Sequence, residues 1–144
     1  MVLSPPDMPT DVAMALEVTS GAIATLLTEA EKAGPEECCG LLLGRGELID
    51  RAHPCANVAD DPARRFEIDP AALLAAHKAA RAGGPQVLGY YHSHPNGHPL
   101  PSASDCEHAS GDRRVWAIVA SGEVTFWRDG KAGFERLCYR AAEG

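Results

Sequence analysis

The sequence predicts an α/β fold in which a mixed β-sheet is flanked by helices. Segments with apolar residues at helical spacing are interspersed with short strand-like segments along the 144 residues, a length that suits one domain. Two pairs of strand-like segments are separated only by a tight turn, at residues 45–46 and at residues 121–122. Interspersed helices with local strand–turn–strand pairs favour a mixed sheet that the helices cover.

The first half of the chain predicts one helix and one hairpin. Apolar residues recur at helical spacing over residues 16–33, and the following Gly34 ends the helix. The apolar run 38–44 predicts a buried strand, which pairs across a turn with residues 47–53. Residues 56–66 are rich in polar side chains and predict a loop.

The second half predicts two helices and four strands. Residues 68–84 form the clearest helix, with Asp69 as the N-cap, Pro70 at the first position and two glycines at the end. Residues 86–94 predict a strand that is almost entirely apolar until its last three residues. The remaining segments are a short helix at 102–112, a hairpin of 115–120 with 123–129, and a final strand at 133–139.

We expect residues 1–15 to be a mobile tail and residues 16–140 to form a single domain. The first 14 residues contain three prolines and two aspartates, but no basic region followed by an apolar one, so they do not predict a secretory signal. Met14 is an alternative start of the natural chain. No apolar run approaches the roughly 20 residues that cross a bilayer, so we expect no membrane association.

The charge of the chain argues against a nucleic-acid partner. Net charge is −7 at pH 7, and the 13 basic residues form no cluster longer than a pair such as Arg64-Arg65. Proteins that bind DNA or RNA usually carry a basic stripe, so neither is expected as a partner.

The five cysteines predict reduced thiols and a cytoplasmic location. An odd number of cysteines without an export signal is typical of a reducing compartment. No C-x-x-C pair occurs, so neither a thiolate zinc site nor a thioredoxin-like site is predicted. We therefore interpret most of them as small buried hydrophobes. They are Cys38, Cys39, Cys55, Cys106 and Cys138.

The segment "YYHSHPNGHPLPSASD", residues 90–105, carries the pattern of a metal site. Side chains alternate across a strand, so His92 and His94 project from the same side at its carboxyl end, where α/β sheets favour ligand sites. Asp105 lies in the first turn of the next predicted helix, and the intervening prolines stiffen the loop that connects the two elements. Two imidazole nitrogens, one carboxylate oxygen and a water suit a catalytic zinc site.

Each part of this pattern also has a structural interpretation. An H-x-H pair alone is weak evidence for a metal site. Ser102 and Asp105, spaced as S-x-x-D at a helix start, resemble a capping box, and this alternative stays open. The combination of both motifs at one strand end is what favours a metal site over surface histidines.

The complete motif resembles the signature of the JAMM (MPN-plus) metalloproteases, which is H-S-H, seven residues, Ser, two residues, Asp. The upstream "PEECCGLLLG" resembles the segment that carries the family's glutamate, two positions before the Cys that precedes Gly, and this selects Glu37 over Glu36. "RRFEIDP" and "AIVASGEVTFWRDGKAGFERL" are similar to the small single-domain bacterial members, so the resemblance covers residues 16–139. It implies the MPN (JAMM) fold, a curved mixed β-sheet flanked by helices with a layout related to the cytidine deaminases.

The resemblance also implies a role for each site residue. Zn²⁺ would be held by His92, His94 and Asp105. Glu37, which is not a ligand, would take a proton from water and pass it to the leaving amine. Ser102 would donate a hydrogen bond to the tetrahedral oxyanion.

The other four histidines are not assigned a fixed role by the resemblance. We interpret His98 as a solvated loop residue, with contact to substrate or metal as the alternative. His108 lies three residues past Asp105, where it could be a rival ligand or a partner of a ligand. We interpret His53 and His77 as structural.

The function that the resemblance implies is that of a zinc metallopeptidase. The expected substrate is a peptide or isopeptide bond after the C-terminal Gly-Gly of a ubiquitin-like protein, with a bacterial sulfur carrier as the first choice. One alternative is a deconjugating, deubiquitinase-like isopeptidase of a bacterial ubiquitin-like modification system, and another is a non-catalytic MPN scaffold. A zinc deaminase is set aside, because its H-x-E and P-C-x-x-C ligands do not occur in the chain.

Overall fold

The structure, a computed structural model, describes residues 16–144. Its elements in chain order are β1 (Leu16–Thr19), α1 (Ser20–Ala33), β2 (Cys39–Arg45), β3 (Leu48–Cys55), α2 (Pro70–Arg81), β4 (Gln86–Ser93), α3 (Ala103–His108), β5 (Val115–Ala120), β6 (Glu123–Gly130), β7 (Gly133–Leu137) and β8 (Tyr139–Ala142). The predicted tail, residues 1–15, lies outside the described residues. None of the helices between residues 16 and 144 is long and apolar enough to span a membrane.

The eight strands between residues 16 and 144 belong to one mixed sheet, in the order β7-β6-β5-β4-β2-β3-β1-β8. The hairpins β2–β3 and β5–β6 are antiparallel, as are β2–β4 and β6–β7. The pairs β4–β5, β1–β3 and β1–β8 are parallel. The predicted mixed sheet and both predicted hairpins are therefore confirmed, and β4 lies near the centre of the sheet.

The helix predicted for residues 16–33 is wrong in its first four residues. Leu16–Thr19 is strand β1, and α1 begins at Ser20 with Thr19 as its N-cap, whose side chain accepts a hydrogen bond from the N–H of Ala22 at 3.1 Å. β1 lies between β3 and β8, and both neighbours pair with its backbone. Tertiary pairing therefore overrides the helical spacing that continues into α1.

The single final strand predicted at residues 133–139 is also wrong, because the segment forms parts of two strands. β7 and β8 lie at opposite edges of the sheet, although only Cys138 separates them in the chain. The sheet must therefore curl until its edges approach, and the ring centroids of Phe126 and Tyr139 lie 4.8 Å apart. This curvature agrees with the curved sheet that the resemblance implies.

The two faces of the sheet carry separate cores, and β4 contributes to both. Tyr91 is fully buried in the core beneath α1, where a Cβ at Gly40 would lie 2.4 Å from Tyr91 Cε2, so no larger residue fits beneath the ring. Tyr90 packs on the opposite face, where α2 contributes Leu73. His92 shares the face of Tyr90 because side chains alternate along a strand, and the site therefore lies on the α2 face.

Candidate metal centre

The ends of β4 and α3 bring three candidate ligand side chains together. Nε2 of His92 and Nε2 of His94 lie 3.1 Å apart, and each lies 3.1 Å from Oδ2 of Asp105. A search of residues 16–144 finds these three side chains as the group of His, Cys, Asp or Glu residues that could hold a metal ion. Two imidazole nitrogens and one carboxylate oxygen that converge on one point are a donor set that suits Zn²⁺.

The loop after β4 fixes the orientation of the His94 ring. Nδ1 of His94 lies 2.7 Å from the carbonyl oxygen of His98, to which it donates a hydrogen bond. When the His94 ring is neutral, this bond favours the proton on Nδ1 and leaves the lone pair of Nε2 pointing into the cluster, which is the tautomer that a metal ligand needs. His98 thus contributes to the site through its backbone rather than through its exposed side chain.

Aromatic rings, rather than a hydrogen bond to Nδ1, hold the side of the His92 ring that faces away from the cluster. Its side chain is fully buried, and its Nδ1 has no partner among the described residues. The Phe66 ring stacks on it with centroids 4.3 Å apart and planes 16° apart, while Trp116 meets it edge-on at 5.7 Å. The position of this ring therefore depends on packing against the loop that carries Phe66.

Asp105 also serves as part of a helix cap. Ser102 Oγ accepts a hydrogen bond from the Asp105 N–H at 3.0 Å, and Asp105 Oδ2 accepts one from the Ser102 N–H at 2.9 Å. The capping box that the sequence left open is thus present, together with the cluster. Because Ser102 Oγ accepts in this box, its own hydroxyl hydrogen remains available to a substrate.

Burial and hydrogen bonds shift the pKa values of the three candidate ligands. Burial opposes ionisation of Asp105, but hydrogen bonds from the two histidines hold its pKa well below the usual range. Burial lowers the pKa of His92. Burial acts in the same sense on His94, yet its hydrogen bonds to Asp105 and to the His98 carbonyl leave its pKa raised. Asp105 therefore stays ionised and His92 neutral, as ligands of a cation must be, whereas a bound cation would compete with a proton for Nε2 of His94.

Glu37 lies beside the cluster without belonging to it. Its side chain is buried, and Oε1 has no hydrogen-bond partner among the described residues. Burial raises its pKa to about 7, with the nearby Asp105 adding to the increase and His94 opposing it. Burying a carboxylate without a hydrogen-bond partner costs folding free energy, which indicates that Glu37 has a functional role. A pKa near neutrality suits a general base.

A cleft of about 470 Å³ opens above the cluster between two loops. We call residues 56–69, between β3 and α2, the first loop, and residues 94–102, between β4 and α3, the proline loop. The first loop lines the cleft with Ala63 and Arg64, and the proline loop with most of its residues. Glu37 and Ser102 line the same cleft, so the structure brings all five predicted site residues to one place.

The proline loop is attached to the neighbouring strand β6. Thr125 Oγ1 donates a hydrogen bond of 2.6 Å to the Pro99 carbonyl and accepts one of 2.9 Å from Trp127 Nε1. Pro99 follows His98, whose carbonyl orients His94. Neither Phe66 nor Thr125 was assigned a role from the sequence. The signal for Phe66 was a single aromatic residue in a polar loop, and Thr125 had no signal.

The remaining histidines and the cysteines lie outside the cluster. His108 is exposed, and its Nδ1 donates to the Ser104 carbonyl at 2.8 Å, so it is neither a rival ligand nor a partner of a ligand. His53 is exposed and His77 is partly buried, and neither belongs to the candidate metal group. All five cysteines are free, as expected. The interpretation of most of them as buried is wrong, because only Cys39 is buried, while Cys38 and Cys55 are partly buried and Cys106 and Cys138 are exposed.

The amino-acid sequence matches a known protein family. The family model described as prokaryotic homologs of the JAB domain matches residues 19–130. The chain belongs to this family. The predicted resemblance to small prokaryotic JAMM/MPN proteins is thereby confirmed.

This Prok-JAB chain is also similar to named proteins over most of its length. It is 35% identical over 117 residues to a desampylase from Haloferax volcanii, which covers 76% of this chain and 84% of that protein. It is 40% identical over 111 residues to a Thermus thermophilus protein named "Probable TtuB-protein conjugate cleaving protease", which covers 77% of this chain and 66% of that one. A JAB1/MPN domain protein from Archaeoglobus fulgidus shares the fold, with a TM-score of 0.62 at 19% identity over 90% of this chain and 99% of that chain.

Proposed function

We propose that this Prok-JAB chain is a zinc-dependent metallopeptidase that cleaves conjugates of ubiquitin-like proteins after their C-terminal Gly-Gly. The observation that carries the proposal is the convergence of three ligand atoms within 3.1 Å of one another, beside the buried Glu37 carboxylate, whose Oε1 has no partner among the described residues. A scaffold that only binds partners has no need of either feature, since both are costly to bury.

The residues of the site divide the hydrolysis between them. His92, His94 and Asp105 would hold Zn²⁺, which when bound lowers the pKa of a water molecule to about 7. Glu37 accepts the proton of the attacking water and delivers it to the leaving amine, and its raised pKa suits both steps. The free hydroxyl hydrogen of Ser102 is donated to the oxyanion, an interaction typically worth roughly 10²–10³ in rate.

The names of the relatives support the substrate class. One is called a desampylase and the other a conjugate cleaving protease, which favours the deconjugating isopeptidase over the processing of a sulfur carrier. The cleft suits a Gly-Gly tail, because the proline loop and the first loop both line it and a tail without side chains can approach their backbone closely. An extended tail can lie against the backbone of the protein as an added strand does.

The test measures how fast the zinc-loaded protein cleaves the bond after Gly-Gly in three substrates. The substrates are a Gly-Gly-tailed ubiquitin-like protein joined to a lysine of a target, the same protein with a short linear extension, and the free tail peptide with that extension. Intact mass spectrometry should show the conjugate cleaved after Gly-Gly, and the free peptide cut far more slowly because a glycine tail binds weakly by itself. A chelator and the His94→Ala variant should each abolish cleavage.

Three results would contradict the proposal. Equal rates on the free peptide and on the folded substrates would indicate a general peptidase, so the ubiquitin-like class would be abandoned. Cleavage that survives the chelator but is lost on alkylation of the thiols would indicate a cysteine peptidase. Rapid cleavage of the linear extension with an intact conjugate would restore the sulfur-carrier alternative.

A further inference from the structure

The side-chain amide of Asn57, in the first loop, makes four hydrogen bonds. Nδ2 donates to the carbonyl oxygens of Glu37 at 3.0 Å and Arg65 at 3.1 Å. Oδ1 accepts from the N–H groups of Ala59 and Glu67, each at 3.0 Å. Two carbonyls on one side and two N–H groups on the other also determine which way the amide points. All four bonds go to backbone, so the side chain joins separate pieces of chain.

One of these pieces is the backbone of Glu37. Its carbonyl accepts from Asn57, and its N–H donates to the carbonyl of Pro62 at 2.8 Å. Both polar groups of the Glu37 backbone are therefore attached to the first loop. The position of the Glu37 carboxylate above the cluster consequently depends on the conformation of that loop.

The other piece surrounds Phe66. Asn57 bonds to the carbonyl of Arg65 and to the N–H of Glu67, which are the two neighbours of Phe66 in the chain. The Phe66 ring is the one that stacks on His92 at 4.3 Å. One amide thus holds both the residue that carries the free carboxylate and the residue that packs against a candidate ligand.

We propose that Asn57 is a positioning residue that fixes the Glu37 carboxylate relative to the metal cluster and presses Phe66 against His92. The proposal deepens the proposed function and rests on Glu37 as the proton-transferring group of that reaction. Asn57 belongs neither to the residues that line the cleft nor to the candidate ligands, and it acts through the two residues that it holds. A displacement of a reacting group by about 1 Å can cost roughly 100-fold in rate. We therefore expect kcat to fall when the hydrogen bonds of Asn57 are lost.

The test uses Asn57→Asp, which keeps an oxygen that accepts from the N–H groups of Ala59 and Glu67. It replaces the donor Nδ2 with an oxygen that faces the carbonyls of Glu37 and Arg65. The control is Gln86→Glu, since Gln86 Nε2 likewise lies 3.5 Å from two backbone carbonyls, those of Ala80 and Gly84, at the opposite end of β4 from the site. Asn57→Ser, which is shorter and uncharged, replaces Asn57→Asp if that variant does not fold.

Steady-state kinetics on the conjugate, normalised to bound zinc, should show kcat lowered about 10- to 100-fold in Asn57→Asp with KM changed less than about threefold. Gln86→Glu should retain the kcat of the unchanged protein. A residue that merely stabilises the loop would lower Tm without changing kcat per bound zinc. An unchanged kcat in a folded Asn57 variant, or an equal loss in Gln86→Glu, would overturn the proposal.

Zinc affinity provides a measurement that needs no substrate. Competition against a chromophoric chelator should show the Kd for zinc raised about tenfold in Asn57→Asp, because Phe66 no longer holds the His92 ring. If the unchanged protein cleaves no conjugate, the proposed function fails and this measurement alone decides the role of Asn57. A Kd within threefold of the unchanged protein would then overturn it.

Discussion

The first loop and the proline loop both line the cleft, but they are held in opposite ways. The first loop is organised mainly from within, by three hydrogen bonds between Asn57 and the loop's own backbone, and the fourth hydrogen bond of Asn57 joins the loop to Glu37. The proline loop is fixed by its own prolines and by a hydrogen bond from Thr125, which belongs to strand β6. Its Leu100 side chain remains 50% exposed at the edge of the cleft.

This difference indicates that the two loops have different roles at the site. The first loop is attached to Glu37 and stacks on His92, so errors in its conformation reach the reacting groups directly. The proline loop orients His94 through one carbonyl and otherwise faces the cleft. We therefore expect the largest losses from changes on the side of the first loop and smaller ones from the anchor of the proline loop.

The largest effect is expected from Glu37→Gln, which removes the group that the first loop holds in place. Cleavage of the conjugate should fall by about 10²–10⁴-fold, because a general base is lost, while zinc content and Tm stay close to those of the unchanged protein. Glu36→Gln is the matched control, since its side chain is exposed. If Glu36→Gln were the inactive variant instead, the assignment of the base would be wrong.

A smaller effect is expected from Phe66→Ala, which removes the contact between the first loop and His92. Phe66 is partly buried, so the free energy of unfolding should fall by about 1–3 kcal/mol, less than for a fully buried aromatic residue. The Kd for zinc should rise several-fold, which calorimetry can measure beside urea unfolding. Leu74→Ala is the control, as its side chain is 61% exposed. Unchanged zinc affinity in Phe66→Ala would show that His92 needs no packing partner.

The smallest effect is expected from Thr125→Val, which tests the anchor of the proline loop. The substitution removes the hydrogen bond to Pro99 and leaves Trp127 Nε1 without its acceptor. The expected cost is about 1 kcal/mol of unfolding free energy, with a few-fold fall in kcat/KM. Thr125→Ser keeps the hydroxyl and should behave like the unchanged protein in both measurements. A loss as large as that of Glu37→Gln would remove the distinction between the loops.

Sequence reasoning was most successful where function depends on local geometry. The alternation of a strand placed His92 and His94 on one side, and the helix start placed Asp105 opposite them, so the cluster could be predicted from spacing. The prolines likewise indicated a stiff loop. Each of these features depends on residues within a short distance along the chain.

The errors lie where distant segments decide the structure. Leu16–Thr19 is a strand because β3 and β8 pair with it, and nothing within the segment itself reveals those partners. Asn57 can position Glu37 because the Glu37 carbonyl oxygen, twenty positions earlier in the chain, lies 3.0 Å from Asn57 Nδ2. An asparagine in a polar loop normally predicts only a turn, so its bonds to distant backbone carry no signal in the sequence.

The pairing of β1 with β8 has a consequence for how fast the chain folds. Leu16 lies opposite Tyr139, so this part of the sheet closes a loop of more than 120 residues. Closing such a loop costs entropy before the pairing returns any stability, and proteins rich in such distant contacts fold slowly. Until β8 arrives, one side of β1 presents unpaired backbone groups, which are a template for pairing with other chains. During folding, therefore, the exposed edge of β1 is the place where association with a second unfolded chain competes with completion of the sheet.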